Sequence, residues 1–251
     1  MKLETYDKTQ SIDFFLPEKF KKIGLNVSGG LDSAFLLWLI VKFLKDNNRT
    51  DTEIVAVTIG QNDWGKRHWN SIVSAKVIDK VLRMHDPNVN NGHLNGKQSI
   101  VSTHFTYYRT SQDKTQANSM EPRLFNNRLI DIIMSGKTAN PPGDIDELLD
   151  GRDITRDLGN RGDDQILYGK TYGITKSAYY TPFVNVDKRF IADQYKKFNL
   201  MNDLFPVTRS CERVGEPEGK IFTTEEDFFA NSCKAEECWW CKERYWAFGR
   251  Y

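Results

Sequence analysis

Two groups of residues in this sequence have types and spacings that could do chemistry. The first is a glycine-containing hexapeptide that consists of Ser28, Gly29, Gly30, Leu31, Asp32 and Ser33. Its glycines permit a tight turn and a close approach of the backbone to a ligand. Amide groups and the dipole at a helix start favour an anion, and the serine hydroxyls add donors. Because the aspartate can hold a magnesium ion or position a cationic group, the hexapeptide predicts a phosphate-binding loop, with an ordinary capped turn as the alternative.

The second group is formed by the four cysteines of the chain, which are Cys211, Cys233, Cys238 and Cys241. A disulfide framework is typical of small secreted domains, whereas four clustered thiolates suit a closed tetrahedral zinc site. Cys238 and Cys241 form a short chelate, and the two tryptophans between them could shield the metal from water. The cluster therefore predicts that all four cysteines bind Zn²⁺, with buried or redox-active cysteines as the alternatives.

The strands and helices that position these two groups are indicated by runs of apolar residues along the chain. Residues 22–27 predict a buried strand that leads directly into the hexapeptide, and residues 31–44 predict a helix that follows it. Residues 53–59 predict a second strand, and residues 69–82 have the apolar spacing of a second helix. Strands and helices of these lengths in this order predict parallel βαβ units.

The rest of the chain contains weaker signals. We expect a third strand within residues 98–107, a helix over 123–134, a further strand at 164–168 and an amphipathic helix over 188–200. Residues 138–162 combine a Pro-Pro-Gly turn with many acids and arginines, which predicts an irregular insertion. The sequence thus predicts an α/β fold with a parallel sheet that carries helices on both faces.

Composition narrows the classes of function. The 251 residues include 35 Lys and Arg against 34 Asp and Glu, and a net charge of +1 argues against coating nucleic acid through bulk charge. A hydrophobic fraction of 39% is enough for a sizeable core, so a wholly disordered chain is excluded. No apolar stretch approaches the ~18 residues of a membrane span, and the first ten residues do not resemble a signal peptide. We therefore expect a cytoplasmic protein without a membrane partner.

The hexapeptide resembles the PP-loop of ATP pyrophosphatases, whose pattern is Ser-Gly-Gly-x-Asp-Ser after a first strand. That superfamily cleaves ATP between the α and β phosphates. Together with the four cysteines, the loop resembles that of the 7-cyano-7-deazaguanine synthases, the nitrile-forming family of the queuosine pathway. The resemblance implies a Rossmann-type fold of the PP-loop (HUP-like) class. It also implies two units, an ATP-binding domain over residues 1–205 and a zinc-binding region over residues 206–251 packed on it.

Further stretches carry the same resemblance in chain order. Residues 65–68 resemble the Gly-Gln-Arg-His of the family, and residues 181–191 resemble its Thr-Pro-Leu stretch with the following Lys-x-x-Ile. Residues 208–211 resemble Thr-x-Ser-Cys, which carries the first zinc ligand. Residues 238–248 resemble the terminal Cys-x-x-Cys-x-x-Arg-x-x-Ala-Phe. The cysteine spacing differs from that of the family, so the chain resembles a divergent member.

The resemblance implies that ATP and ammonia convert 7-carboxy-7-deazaguanine into 7-cyano-7-deazaguanine through an adenylated intermediate, with release of AMP and pyrophosphate. The hexapeptide would hold the pyrophosphate, with Asp32, Ser33 and Lys188 in catalysis and Mg²⁺ offsetting the charge. Arg67 is a further candidate for a phosphate contact. Ligands of α/β sheets bind at the carboxyl ends of strands. The residues expected to face the adenine are therefore Thr58, Ile59 and Gly60.

Other functions stay open. An enzyme of this family could stop at the 7-amido product or transfer the activated acyl group to another amine. A tRNA-modifying PP-loop enzyme could hold RNA near Arg67 and Trp69, although the neutral charge counts against it. A nucleotide-sensing module without turnover is the non-enzymatic alternative. We expect small-molecule substrates rather than nucleic acid as the direct substrate, and a homodimer, since the family tends to dimerise.

Overall fold

The computed structural model describes residues 1–59, 69–86, 98–100, 103–110, 122–141, 166–172, 175–210, 224–232 and 239–251. Several predictions lie outside these ranges. They are the candidate ligand contacts Gly60 and Arg67, the first three cysteines and most of the expected insertion.

The described ranges contain nine strands and six α-helices. The strands are β1 (Lys2–Glu4), β2 (Ser11–Asp13), β3 (Lys22–Asn26), β4 (Glu53–Ile59), β5 (Gln98–Ile100), β6 (Thr103–Thr110), β7 (Ile132–Met134), β8 (Leu167–Tyr172) and β9 (Thr175–Tyr180). The helices are α1 (Leu31–Asp46), α2 (Trp69–His85), α3 (122–126), α4 (Lys188–Lys197), α5 (Glu225–Asn231) and α6 (Trp239–Phe248). Of the helices in these ranges, none combines the length and the apolar character that crossing a membrane requires.

The main sheet has seven strands in the order β5-β6-β4-β3-β7-β9-β8. Its five inner strands, from β6 to β9, are parallel, while β5 and β8 pair antiparallel at the two edges. From β3 the chain first builds the sheet towards β4 and β6, and later continues on the other side with β7. The direction of strand addition therefore reverses at β3, and ligands of open α/β sheets bind at the carboxyl ends of strands beside such a reversal.

Both faces of the sheet are covered by helices, as the sequence predicts. In β4, Ile54 and Ala56 belong to the main core, which also contains apolar residues of α1, α2 and α4. Val55 and Val57 belong to a second cluster with residues of α3. This alternation follows from the two-residue period of a strand. The α/β fold class with a parallel sheet is thereby confirmed, and it leaves the β3–α1 turn at the carboxyl edge.

One predicted helix is wrong over two thirds of its length. Residues 123–134 were expected to be helical, but α3 ends at residue 126 and β7 begins at Ile132. Arg128 adopts a left-handed φ of 53°, which ends the helical path. The apolar run that follows is too short for its period to distinguish a strand from a helix. The result is a central strand, β7, directly beside β3.

The other predictions agree in kind and differ at their boundaries. The helix expected to follow the hexapeptide continues to Asp46, and the one expected over 188–200 ends at Lys197. Instead of one strand within 98–107 the structure has two, β5 and β6. The strand expected at 164–168 lies further along the chain, as β8. The hairpin of β1 with β2, strand β9 and the two C-terminal helices α5 and α6 were not predicted.

Candidate functional site

The hexapeptide forms the turn between β3 and α1, at the place in the sheet where the strand order reverses. Its hydroxyl groups bond within the turn: Ser28 Oγ lies 3.2 Å from Ser33 Oγ, and Ser33 Oγ donates to the Gly30 carbonyl at 3.1 Å. The Ser28 amide donates back to Ser33 Oγ at 3.3 Å. Gly30 is the N-cap of α1 and has no side chain that could cap the first amides. No side chain of the described residues therefore caps the start of α1, and a helix start of this kind favours an anion.

Two glycines let neighbouring segments press closely on this loop. Gly29 has a φ of +86°, and a Cβ atom there would lie 2.6 Å from Val73 Cγ1 of α2. Gly136, which follows β7, would place a Cβ atom 2.8 Å from the backbone carbonyl of Asp32. Sequence reasoning identified Gly29 but missed Gly136, because nothing near Gly136 in the sequence indicates that it packs on the loop.

Buried side chains hold the backbone on either side of the loop. The Val27 carbonyl accepts hydrogen bonds from Thr58 Oγ1 at 2.9 Å and from Ser74 Oγ at 2.8 Å. The Leu31 carbonyl accepts from the Tyr195 hydroxyl at 3.0 Å. Burial raises the pKa of Tyr195 well above its ordinary value, so this hydroxyl stays protonated and remains a donor. Thr58, one of the residues expected to face adenine, therefore uses its hydroxyl to support the end of β3.

A cluster of charges lies at the start of α1. Lys188, the first residue of α4, is only 4% exposed, and its Nζ lies 3.3 Å from Asp32 Oδ2. The same ammonium group lies 2.7 Å from Oε2 of Glu243, which is fully buried on α6. The structure therefore brings together two of the candidate catalytic residues, Asp32 and Lys188. It adds Glu243, which the sequence analysis missed; a carboxylate inside a largely apolar helical segment was the signal that could have found it.

The neighbouring Arg244 is also buried, and it anchors α6. Its guanidinium group donates to the carbonyl and the hydroxyl of Thr208, at 3.2 and 3.1 Å, and to the Phe205 carbonyl at 3.2 Å. It also lies 4.1 Å from the centre of the Phe205 ring. A guanidinium group presents five donors in a fixed fork, so these contacts fix the position of α6 relative to residues 205–208.

The segments that flank the cysteines are joined by hydrogen bonds. Cys241 is buried on α6, whereas the other three cysteines lie outside the described residues. Arg209, two positions before the first cysteine, donates from Nε to the hydroxyl of Ser232 at 2.9 Å, and Ser232 directly precedes the second. The Arg209 amide also donates to the Gly29 carbonyl at 3.0 Å. Within the described part of the chain no group of metal-binding side chains is assembled, so the Zn²⁺ site stays a prediction.

The fold and the site define an α/β protein with a glycine-containing turn, residues 28–33, at the reversal point of its parallel sheet. No protein-family model matches the chain, and no curated protein matches it. Among solved structures, the chain is similar to the U34-tRNA thiolase NcsA from Methanococcus maripaludis with its 4Fe-4S cluster, at 10% identity and a TM-score of 0.41. That alignment covers 80% of this chain and 60% of the thiolase, and such a likeness gives no information on reaction or substrate.

Proposed function

We propose that the protein is an ATP pyrophosphatase of the PP-loop type, which cleaves ATP between the α and β phosphates and transfers AMP to a substrate carboxylate. One observation carries this proposal. The hexapeptide forms a turn with an uncapped helix start, and the buried ammonium group of Lys188 lies beside Asp32 at that start. Loop amides and a fixed cation together favour a polyphosphate at this point.

The residues of the loop would act mainly by positioning and by electrostatic stabilisation. A carboxylate oxygen of the substrate attacks the α-phosphorus, and the bond from that phosphorus to the bridging oxygen breaks. Pyrophosphate leaves with the electron pair. The loop amides, Ser28 and Ser33 would hold the leaving group, and Lys188 would offset its growing charge. Mg²⁺ bound with ATP would neutralise further phosphate charge, and Asp32 is the carboxylate suited to hold it.

We propose 7-carboxy-7-deazaguanine as the substrate and ammonia as the nitrogen source. Ammonia attacks the acyl carbon of the adenylated acid, and AMP leaves to give the amide. Adenylation of the amide oxygen by a second ATP, followed by loss of AMP and two protons, gives the nitrile. The resemblance of residues 181–191 and 238–248 supports this choice. Among the described residues, the matched Lys188 and Arg244 in those stretches are the two cations that are buried.

We also propose that residues 206–251 form a zinc-binding region packed on the ATP-binding domain. The hydrogen bonds of Arg209 with Ser232 and of Arg244 with Thr208 support this, because they join segments that flank three of the four cysteines. A metal held there would fix the same segments that carry Glu243. Zinc analysis of the purified protein tests this directly. Cys238→Ser should lose the metal and lower the thermal midpoint, because zinc binding is coupled to folding.

The reaction is tested with purified protein, ATP, Mg²⁺, ammonia and 7-carboxy-7-deazaguanine, by following pyrophosphate and reading the product mass. Acid-dependent release with a nitrile mass is the expected result, while an amide mass would indicate the variant that stops earlier. Asp32→Ala should abolish release and leave the fold intact. Full activity of that variant would contradict the role of the loop. Release that depends on tRNA instead of the acid would move the assignment to a tRNA-modifying enzyme.

A further inference from the structure

The carboxylate of Glu243 joins helix α6 to the phosphate loop through a single lysine. Glu243 Oε2 lies 2.7 Å from Lys188 Nζ, and that ammonium group lies 3.3 Å from Asp32 Oδ2. Glu243 is fully buried, and Lys188 is only 4% exposed. We propose that Glu243 is a positioning residue that acts through Lys188, holding the ammonium group beside Asp32 where the phosphates of ATP bind. This inference rests on the proposed function.

A lysine needs such support to act as a fixed charge. Its ammonium group is a compact point charge on a flexible four-carbon stem, so the stem alone does not determine where the charge lies. A buried charge is retained only when it is paired and hydrogen-bonded. Glu243 supplies the closer of the two carboxylate contacts of Lys188, and it therefore sets the position of Nζ relative to Asp32.

Helix α6 is itself held firmly, so Glu243 is a rigid anchor. The next residue, Arg244, is bound to the backbone carbonyls of Thr208 and Phe205. One turn further along the same face of α6, Phe248 packs edge-on against Tyr195 of α4, with ring centres 5.4 Å apart. Tyr195 in turn donates to the Leu31 carbonyl of the loop. The loop, α4 and α6 are therefore connected through Tyr195 as well as through the charge of Lys188.

The charge balance of this cluster predicts an unusual kinetic signature. The carboxylate of Glu243 is a negative charge beside the proposed phosphate site, and it opposes the arrival of a triphosphate. Removing the Glu243 charge should therefore tighten nucleotide binding, while loss of its positioning should slow the chemical step. Damage that is merely structural weakens binding and slows turnover together. A variant that binds nucleotide more tightly but turns over more slowly therefore identifies Glu243 as a positioning residue.

The test measures two quantities on the full-length protein. Isothermal titration with α,β-methylene-ATP and Mg²⁺ gives the dissociation constant of an analogue that cannot be cleaved, and pyrophosphate release gives kcat. Glu243→Gln should tighten binding roughly three- to tenfold and lower kcat at least about tenfold. Glu243→Asp keeps the charge but shortens its reach, so binding should stay within about twofold while kcat falls about tenfold. Glu226→Gln, the same change at an exposed position of α5, should alter neither.

A second comparison asks whether Glu243 acts through Lys188. In a Lys188→Met background, Glu243→Gln should cause no further loss of kcat, and an added loss would overturn the proposal. Weaker binding, or unchanged binding, in Glu243→Gln would overturn it as well, and that outcome does not depend on the lysine variant folding. Failure of the proposed function has a different signature: wild-type protein would bind the analogue but release no pyrophosphate when the acid is supplied. In that case the dissociation constants of the Glu243 variants still decide the role of this residue.

Discussion

The loop of residues 28–33 and helix α6 are joined through Lys188, yet the hydroxyl groups of the loop and the charges of α6 find partners at very different distances along the chain. Within the loop, the hydrogen bonds among Ser28, Gly30 and Ser33 join residues no more than five positions apart. On α6, Glu243 reaches Lys188 across 55 positions, and Arg244 reaches Thr208 across 36. The hydroxyl groups of the loop are therefore satisfied by its own residues. The Gly29 and Leu31 carbonyls, like the charges of α6, find their partners only once the whole domain has folded.

This difference separates two kinds of variant. Changes to loop hydroxyls should alter ligand binding at a small cost in the free energy of unfolding, because each removes a short-range contact. Changes to the charges of α6 and their partners should mainly lower stability, because they leave a buried charge without its counter-charge. The proposed reaction requires both regions to be intact, since in it the loop provides the amides and the α6 cluster holds the cation.

The largest expected effect is that of Lys188→Met. The substitution leaves the buried carboxylate of Glu243 without its cation, which should cost about 3–5 kcal/mol of the free energy of unfolding. Urea denaturation measures this loss. The double variant Lys188→Met with Glu243→Gln removes both charges and should recover most of the stability without recovering pyrophosphate release. A double variant as unstable as the single one would mean that the pair is not what stabilises α6.

The second largest effect is expected for Gly29→Ala, because Gly29 is where the loop packs against the distant helix α2. The added methyl group would require a left-handed alanine and would meet Val73 of α2, for a total of about 2–4 kcal/mol. Gly249→Ala is the matched control. It has a φ of +70°, and among the described residues no atom lies within 4 Å of the added Cβ, so only the backbone cost of about 1 kcal/mol applies. Equal thermal midpoints for the two variants would argue against close packing of α2 on the loop.

A third prediction concerns how stability depends on pH, which determines the pH at which variants of the two regions should be compared. Burial, together with the charges of Lys45 and Lys42, lowers the pKa of His85 to about 4. The unfolded chain binds this proton near pH 6.5, so stability is lost as pH falls from about 6.5 to about 4. Allowing for its partial exposure, the loss is about 1–2 kcal/mol. His85→Gln should flatten this slope in denaturation measured across that range; an unchanged slope would assign the acid sensitivity to other groups.

The smallest effect on stability is expected for Ser33→Ala. Its hydroxyl donates to the Gly30 carbonyl and accepts from the Ser28 amide, so its loss should cost only about 0.5–1.5 kcal/mol. Nucleotide affinity should nevertheless fall several-fold, because the turn that presents the amides loses its internal bonds. Titration with α,β-methylene-ATP measures the affinity and thermal melting the stability. A large drop in the thermal midpoint would show that the loop is less self-contained than its hydrogen bonds indicate.

The same contrast explains what the sequence could and could not predict. The β3 strand, the loop and α1 follow one another directly, and each has a local signal, so their positions were predicted within a few residues. Residues 123–134 were wrongly expected to be one helix, because pairing with β3 decides that the last three of them are a strand. Gly136 and Glu243 were missed because their partners lie far away in the sequence. Thr58 was placed at the correct strand end, but only the fold shows its hydroxyl bonded to the Val27 carbonyl.

The most direct test is to identify the nucleotide products formed from ATP in the presence of Mg²⁺, ammonia and 7-carboxy-7-deazaguanine. A PP-loop reaction breaks the bond between the α and β phosphates, so AMP and pyrophosphate should appear in equal amounts and only when the acid is present. Asp32→Ala should form neither. Formation of ADP and inorganic phosphate, or AMP formation that survives in Asp32→Ala, would contradict the assignment of residues 28–33 as the loop at which ATP is cleaved.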